Sequence, residues 1–174
     1  MHERGFSLIE LLTALALLVL LLPLSSTTFS ELLSSNRQQD AARTLASDLR
    51  NARAAAIQHR HTTLVHAMGG GWSQGWRVIL DISGKGAKDP ENPLIMERRG
   101  TRGIAIEGNR PVQDFVRFSA MGSPLLPTGA FQAGTLHICQ RAREGSLYQV
   151  VLSRSGRISL RDEIIEQASC TSPG

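Results

Sequence analysis

Lysine is almost missing from this chain of 174 residues: 17 of its 19 basic residues are arginine. Arginine offers a planar fork to phosphates and carboxylates, where lysine offers a point charge. Cysteine is as scarce, with Cys139 and Cys170 alone. Neither belongs to a C-x-x-C pair or has a histidine at zinc-finger spacing, so the common structural zinc sites are excluded. No H-E-x-x-H occurs, and the acidic stretch around Asp81, Asp89 and Glu91 lacks the regular oxygen-ligand spacing of a calcium loop. Charge is missing from residues 11–24, where only Thr13 and Pro23 interrupt an aliphatic run. No small-residue cleavage site closes that run, which fits an ordinary secretory signal poorly. A chain of 18.9 kDa suffices for one domain with a proper core and hardly for two, which excludes most multidomain enzymes. With 41% hydrophobic and 20% charged residues it is neither disordered nor collagen-like.

What is present divides sharply. Residues 6–24 would span roughly 28 Å as a helix, close to the hydrocarbon thickness of a bilayer. The exception within them is Glu10, whose ionised carboxylate would cost on the order of 2.5 kcal/mol in lipid unless it stays near the interface or finds a partner. Cleavage after Gly5 would create that partner. The new amino group on Phe6 is a cation that Glu10 of a neighbouring copy can neutralise, so assembly relieves the burial cost.

The string Gly5-Phe6-Ser7-Leu8-Ile9-Glu10-Leu11-Leu12 resembles the prepilin motif of type IV pilins and type II secretion pseudopilins. The resemblance implies a prepilin peptidase that cuts between Gly5 and Phe6 and methylates the new N-terminus. It assigns Glu10 to subunit alignment. The implied partners are other minor and major pilins or pseudopilins, the peptidase and an inner-membrane assembly platform. Pro23 comes earlier in the apolar helix than the proline usual in that family.

Residues 31–60 contain no glycine or proline and should continue as helix. Ala42, Leu45, Leu49, Ala52 and Ala56 recur at three and four residue steps, a narrow stripe of small side chains suited to packing on a sheet. Arg43, Arg50, Arg53 and Arg60 lie one step round, with Asp40 and Asp48 near, and read as a solvated flank laced by salt bridges. Beyond Arg60 the period falls to two, and strands are expected at 62–67, 76–81, 94–98, 104–107, 115–119, 135–139, 147–153 and 157–160. The stretch 83–93 reads as a mobile hairpin tip. The expected fold is α+β, the type IV pilin fold, with a long N-terminal helix, transmembrane in its first part, on a mainly antiparallel sheet domain. Its parts are a leader (1–5), a transmembrane and assembly helix (6–24), an amphipathic continuation (25–60) and a periplasmic β-rich domain (61–174).

Three patches of the body are similar to the GspH/FimT branch of that superfamily: Gly71-Trp72-Ser73-Gln74-Gly75-Trp76-Arg77-Val78, Phe118-Ser119-Ala120-Met121-Gly122 and the hairpin around Ser153-Arg154-Ser155-Gly156-Arg157. The resemblance implies a minor pilin of the pilus tip or, in the alternative, a minor pseudopilin of a type II secretion system. Neither implies a cofactor or a metal. A membrane-anchored periplasmic hydrolase is the outside alternative, because Gly71 to Gly75 also matches G-x-S-x-G, the nucleophile elbow. An alternating strand follows that motif where an elbow needs a helix. His59, His61 and His66 fall at a helix end, a strand start and a strand end, and read as surface histidines.

Without residues 1–24 the body carries 18 basic and 13 acidic residues. Arg141, Arg143, Arg154, Arg157 and Arg161 gather near its C-terminal end, and on an extended strand Arg157, Ser159 and Arg161 would point to one side. Such a comb could take duplex DNA phosphates in a salt-dependent way. FimT-type pilins are associated with DNA uptake through a Gly-Arg-x-Arg element. Gly156-Arg157 matches its first half, and Ser159 stands where the second arginine belongs. Export of the body to an oxidising compartment would favour a Cys139 to Cys170 disulfide.

Overall fold

The computed structural model describes residues 7–140 and 146–163, and the side chains of residues 18–31, 140 and 147 stand outside that description. Helix α1 runs Leu8–His59. Eight strands follow: β1 (Thr63–Met68), β2 (Gly71–Leu80), β3 (Leu94–Arg99), β4 (Ile104–Gly108), β5 (Phe115–Phe118), β6 (Gly134–Gln140), β7 (Ser146–Leu152) and β8 (Ile158–Arg161). Each falls on a segment where the alternation predicts it. The chief difference is β2, which begins at Gly71 and so absorbs the whole Gly-Trp-Ser-Gln-Gly segment.

The chain divides into two compact units, Met1–Asn36 and Arg37–Gly174. In the first, the opening turns of α1 expose Leu8, Ile9, Leu11, Leu12, Leu15 and Leu17. Among the described residues no helix is long and apolar enough to cross a membrane.

In the second unit the strands form two antiparallel sheets, ordered β3-β2-β1-β5 and β4-β6-β7-β8. The small-residue stripe of α1 is their meeting point: Ala42, Leu45, Leu49, Ala52 and Ala56 are all fully buried. Alanine lets the helix backbone approach closely, and Leu45 and Leu49 fill what remains, each burial worth about 1.5–3 kcal/mol. Val65, Val78 and Phe118 of the first sheet and Ile106, Leu136 and Val150 of the second join them in one core. Trp72 and Trp76 stand with ring centroids 6.5 Å apart, and each buried indole donates its N–H, to Val112 O at 3.0 Å and to Asp48 Oδ2 at 3.0 Å. Gly75 between them has φ +121°, and a Cβ there would run into the Arg98 carbonyl. Only glycine allows β3 to lie so close at this point.

Two expectations change. The flank of α1 is not simply solvated: Asp48 is buried and pairs with Arg98 of β3 rather than with a neighbour on its own helix. The 83–93 stretch is internally tied, because buried Asn92 accepts from Ile82 N at 3.1 Å and donates to Gly86 O at 3.0 Å. Asp81 Oδ1 accepts from Gly86 N at 2.9 Å on the same loop. Two buried polar side chains at its base thus replace the expected mobile tip.

Candidate assembly and binding sites

Gly5 and Phe6 lie outside the described residues. Glu10 sits in the first turns of α1, exposed, and its carbonyl accepts from Thr13 Oγ1 at 3.0 Å. It is the one ionisable side chain among residues 7–17, set among exposed leucines. That pattern places a single carboxylate on a surface that water does not favour.

At the other end of the chain, β7 and β8 form a hairpin. Ser153 N donates to Arg157 O at 3.0 Å, and Arg157 N donates to Ser153 Oγ at 3.0 Å. Gly156 completes the turn at φ +80°. Arg154, Arg157 and Arg161 are exposed and have no ion pair among the described residues. Arg157 belongs to the turn, just before β8 begins, so Arg154 and Arg157 crowd the hairpin tip and Arg161 stands at the far end of the strand. Ser159 and Arg161 share the face of β8 opposite to buried Ile158, and Arg157 precedes them at the turn. Arg141 and Arg143 lie outside the described residues.

Two arginines that sequence reasoning left on a solvated flank tie α1 to the hairpin and to the turn beside it. Arg50 Nη2 donates to Ile158 O at 3.1 Å, and Arg53 Nε donates to Gly122 O at 2.9 Å. A Cβ on Gly156 would lie 2.9 Å from Gly122 O and 3.0 Å from Arg53 Nε. The Ser-Ala-Met-Gly turn, the Ser-Gly-Arg turn and Arg53 thus form one contact, which no periodicity rule signals.

One polar row crosses the second sheet: Glu107, His137, Gln149 and Arg161 are successive cross-strand partners. Gln149 donates to Glu163 O at 2.7 Å, while its Oε1 and His137 Nδ1 are buried without a hydrogen-bond partner among the described residues. Burial holds His137 below the usual histidine pKa and pushes Glu107 above the usual carboxylate range.

The catalytic candidates disperse. Ser73 lies inside β2, and its hydroxyl donates to Ile106 O at 3.3 Å and accepts from Ile106 N at 2.9 Å, so no strand-to-helix elbow forms. His59 and His61 are exposed, whereas His66 on β1 is half-buried. His66 Nδ1–H donates to Ala67 O at 3.2 Å. Burial lowers its pKa, that hydrogen bond opposes the shift, and Arg77 adds to it. No cluster able to hold a metal ion occurs among the described residues. Cys139 is buried on β6 and is not free, and Cys170 lies outside the described residues.

Residues 41–156 match the family described as type II transport protein GspH. Residues 1–22 match the prokaryotic N-terminal methylation motif. Among solved structures the chain is similar to the type IV minor pilin FimU of Pseudomonas aeruginosa (strain PAO1), with TM-score 0.60 and 22% identity over 77% of this chain and 96% of that one. It is similar also to the minor pseudopilin EpsH of the type 2 secretion system of Vibrio cholerae, with TM-score 0.53 and 14% identity over 72% of this chain and 97% of that one. No curated protein matches. At these identities the structural likeness speaks for the fold.

Proposed function

Because this chain belongs to the GspH family of type II transport proteins, we propose that it is a minor type IV pilin, a tip or priming subunit built into a filament with other pilins. The observation that carries the reading is the start of α1, where exposed leucines surround Glu10 within a methylation motif. In this reading residues 1–5 are a leader, the peptidase cuts after Gly5, and residues 6–24 hold the subunit in the inner membrane with its sheet domain in the periplasm. Residues 25–60 continue the helix, and residues 61–174 make the exported body. Glu10 then meets the methylated amino group of Phe6 on an adjoining subunit, so that each charge compensates the other in the apolar surroundings. Mass spectrometry of the mature chain should find N-methylated Phe6 at its start. Glu10→Ala should leave that processing intact yet take the subunit out of sheared filaments, and normal incorporation would contradict the charge pairing.

DNA capture adds to this reading. Arg154 and Arg157 at the hairpin tip and Arg161 along β8 supply exposed cations that can meet phosphates without sequence preference, and Arg141 and Arg143 join them by sequence position. Charge reversal of Arg157 and Arg161 should abolish retardation of a duplex at low salt. An unchanged shift removes DNA from the function. Pairing of Cys139 with Cys170 would tie the C-terminal segment to β6 and hold the hairpin in place.

The family description itself favours a second reading, a minor pseudopilin of a type II secretion system. Deletion separates the two: loss of pili or transformation supports the pilin, and loss of secreted protein supports the pseudopilin.

A further inference from the structure

On the outer face of the first sheet, away from the hairpin, an open cavity of about 810 Å³ lies between the ends of β1, β2 and β3 and the connection to β4. Its charged lining has an order. His66 faces Arg77 across β1 and β2, and Arg77 faces Glu97 across β2 and β3, with Arg77 Nε 2.7 Å from Glu97 Oε2. Side chains alternate along a strand, so Arg99 shares the face of Glu97 while Arg98 turns inward to Asp48. Arg102 completes the rim from the connecting loop. Glu97 neutralises Arg77, whereas Arg99 and Arg102 are exposed and have no ion pair among the described residues. Two uncompensated guanidinium groups therefore look into one concavity.

We propose that this cavity binds an acidic peptide segment of a neighbouring subunit, whose carboxylates are forked by Arg99 and Arg102. Charge and shape together select that occupant. Arginine pairs with carboxylate through two parallel N–H···O bonds, which fixes orientation as well as affinity. The volume exceeds that of a single small anion and suits a few residues of extended chain. A duplex is the poorer fit, since its stiff backbone cannot fold a few phosphates into a pocket between strand ends. The inference rests on the reading that the chain works among other subunits, and it assigns the cavity to contacts between their folded bodies, separate from the helix contacts at Glu10.

The test uses the full chain in detergent micelles and a fluorescein-labelled tetraglutamate peptide, followed by anisotropy at low salt. Saturable binding is expected, with tetraglutamine inert. The double variant Arg99→Glu, Arg102→Glu should weaken it by about tenfold or more, and the equal charge change Arg43→Glu with Arg60→Glu, at exposed positions of the helix and its end, should leave it unchanged. Arg99 and Arg102 are exposed, so the indole fluorescence of buried Trp72 and Trp76 should stay native and report an intact fold. Absent binding, or binding indifferent to the cavity variants, overturns the proposal. Displacement of the peptide by a duplex oligonucleotide, with loss of duplex binding in the cavity variants, would make this a nucleic-acid site and overturn it equally. Peptide binding does not depend on Glu10 or on a filament, so a failed assembly test and a failed binding test are separate results.

Discussion

Arg98 closes a fork on Asp48, with Nε 2.6 Å from Oδ2 and Nη2 3.2 Å from Oδ1. The carboxylate is 3% exposed and the guanidinium 43%, so the pair joins a buried helix residue to a strand edge that water reaches. Trp76 adds its indole N–H to the same oxygen at 3.0 Å. Asp48→Ala should therefore destabilise the body by about 2–3 kcal/mol, because it leaves a buried indole N–H unpaired and removes the anion that Arg98 opposes. Asp48→Asn retains an acceptor and should lose less. Urea unfolding followed by tryptophan fluorescence measures both, and equal losses would refute the role given to Trp76.

The docking of the hairpin predicts a local effect. Gly156→Ala places a side chain at φ +80° and within 3.0 Å of Arg53 Nε, so it should cost about 1–2 kcal/mol. Arg53→Ala, which removes the bond to Gly122 O, should act in the same place. Hydrogen exchange should quicken in β7, β8 and the turn before them while the middle of α1 stays protected. A uniform change across the domain would contradict this.

Close approach of α1 to the sheets depends on small residues. Ala52→Leu, at a position with no exposed surface, should lose about 1–3 kcal/mol by overpacking. Arg43→Leu, one step round and exposed, should change stability little. Thermal melts of the two variants should differ clearly.

Acid should weaken the fold through its histidines. Burial is the leading cause that holds His66 and His137 below the ordinary histidine value. Unfolded, each takes its proton near pH of about 6.5, so just below that pH the unfolded chain binds more protons than the folded one. Stability is thus complete above about pH 6.5 and is lost as pH falls through the folded pKa values. Glu107 acts in the opposite sense: its raised pKa contributes stability at acid pH that is lost as pH rises through the folded value. The melting temperature should fall on acidification below neutrality, and His137→Gln should flatten that fall. A profile identical to wild type would mean that the buried Nδ1 has no thermodynamic weight.

The elements themselves were legible because their signals are local. Ala42, Leu45, Leu49, Ala52 and Ala56 announce a buried helix face by spacing, and all of them are buried. Glycine and proline punctuation separates the strands nearly residue by residue. What sequence could not supply is which side chain crosses to which element. Asp48 lies 50 positions from Arg98, and Arg53 lies 69 positions from Gly122, so each seemed to belong to its own helix. The division into two sheets was hidden likewise, since alternation marks a strand and is silent on its neighbour. The arginine comb was legible only as alternation: β8 begins at Ile158, so Arg157 stands at its turn end and Arg161 at its far end, with Ser159 between them.

Ser73, placed where a hydrolase would carry its nucleophile, bonds both the N–H and the carbonyl of Ile106 and so imitates a rung between strands of different sheets. Together with the core that both sheets share, that pin should stiffen the seam against a load that enters the body through α1. The two halves should yield as a single block, which suits a brick better than a hinge.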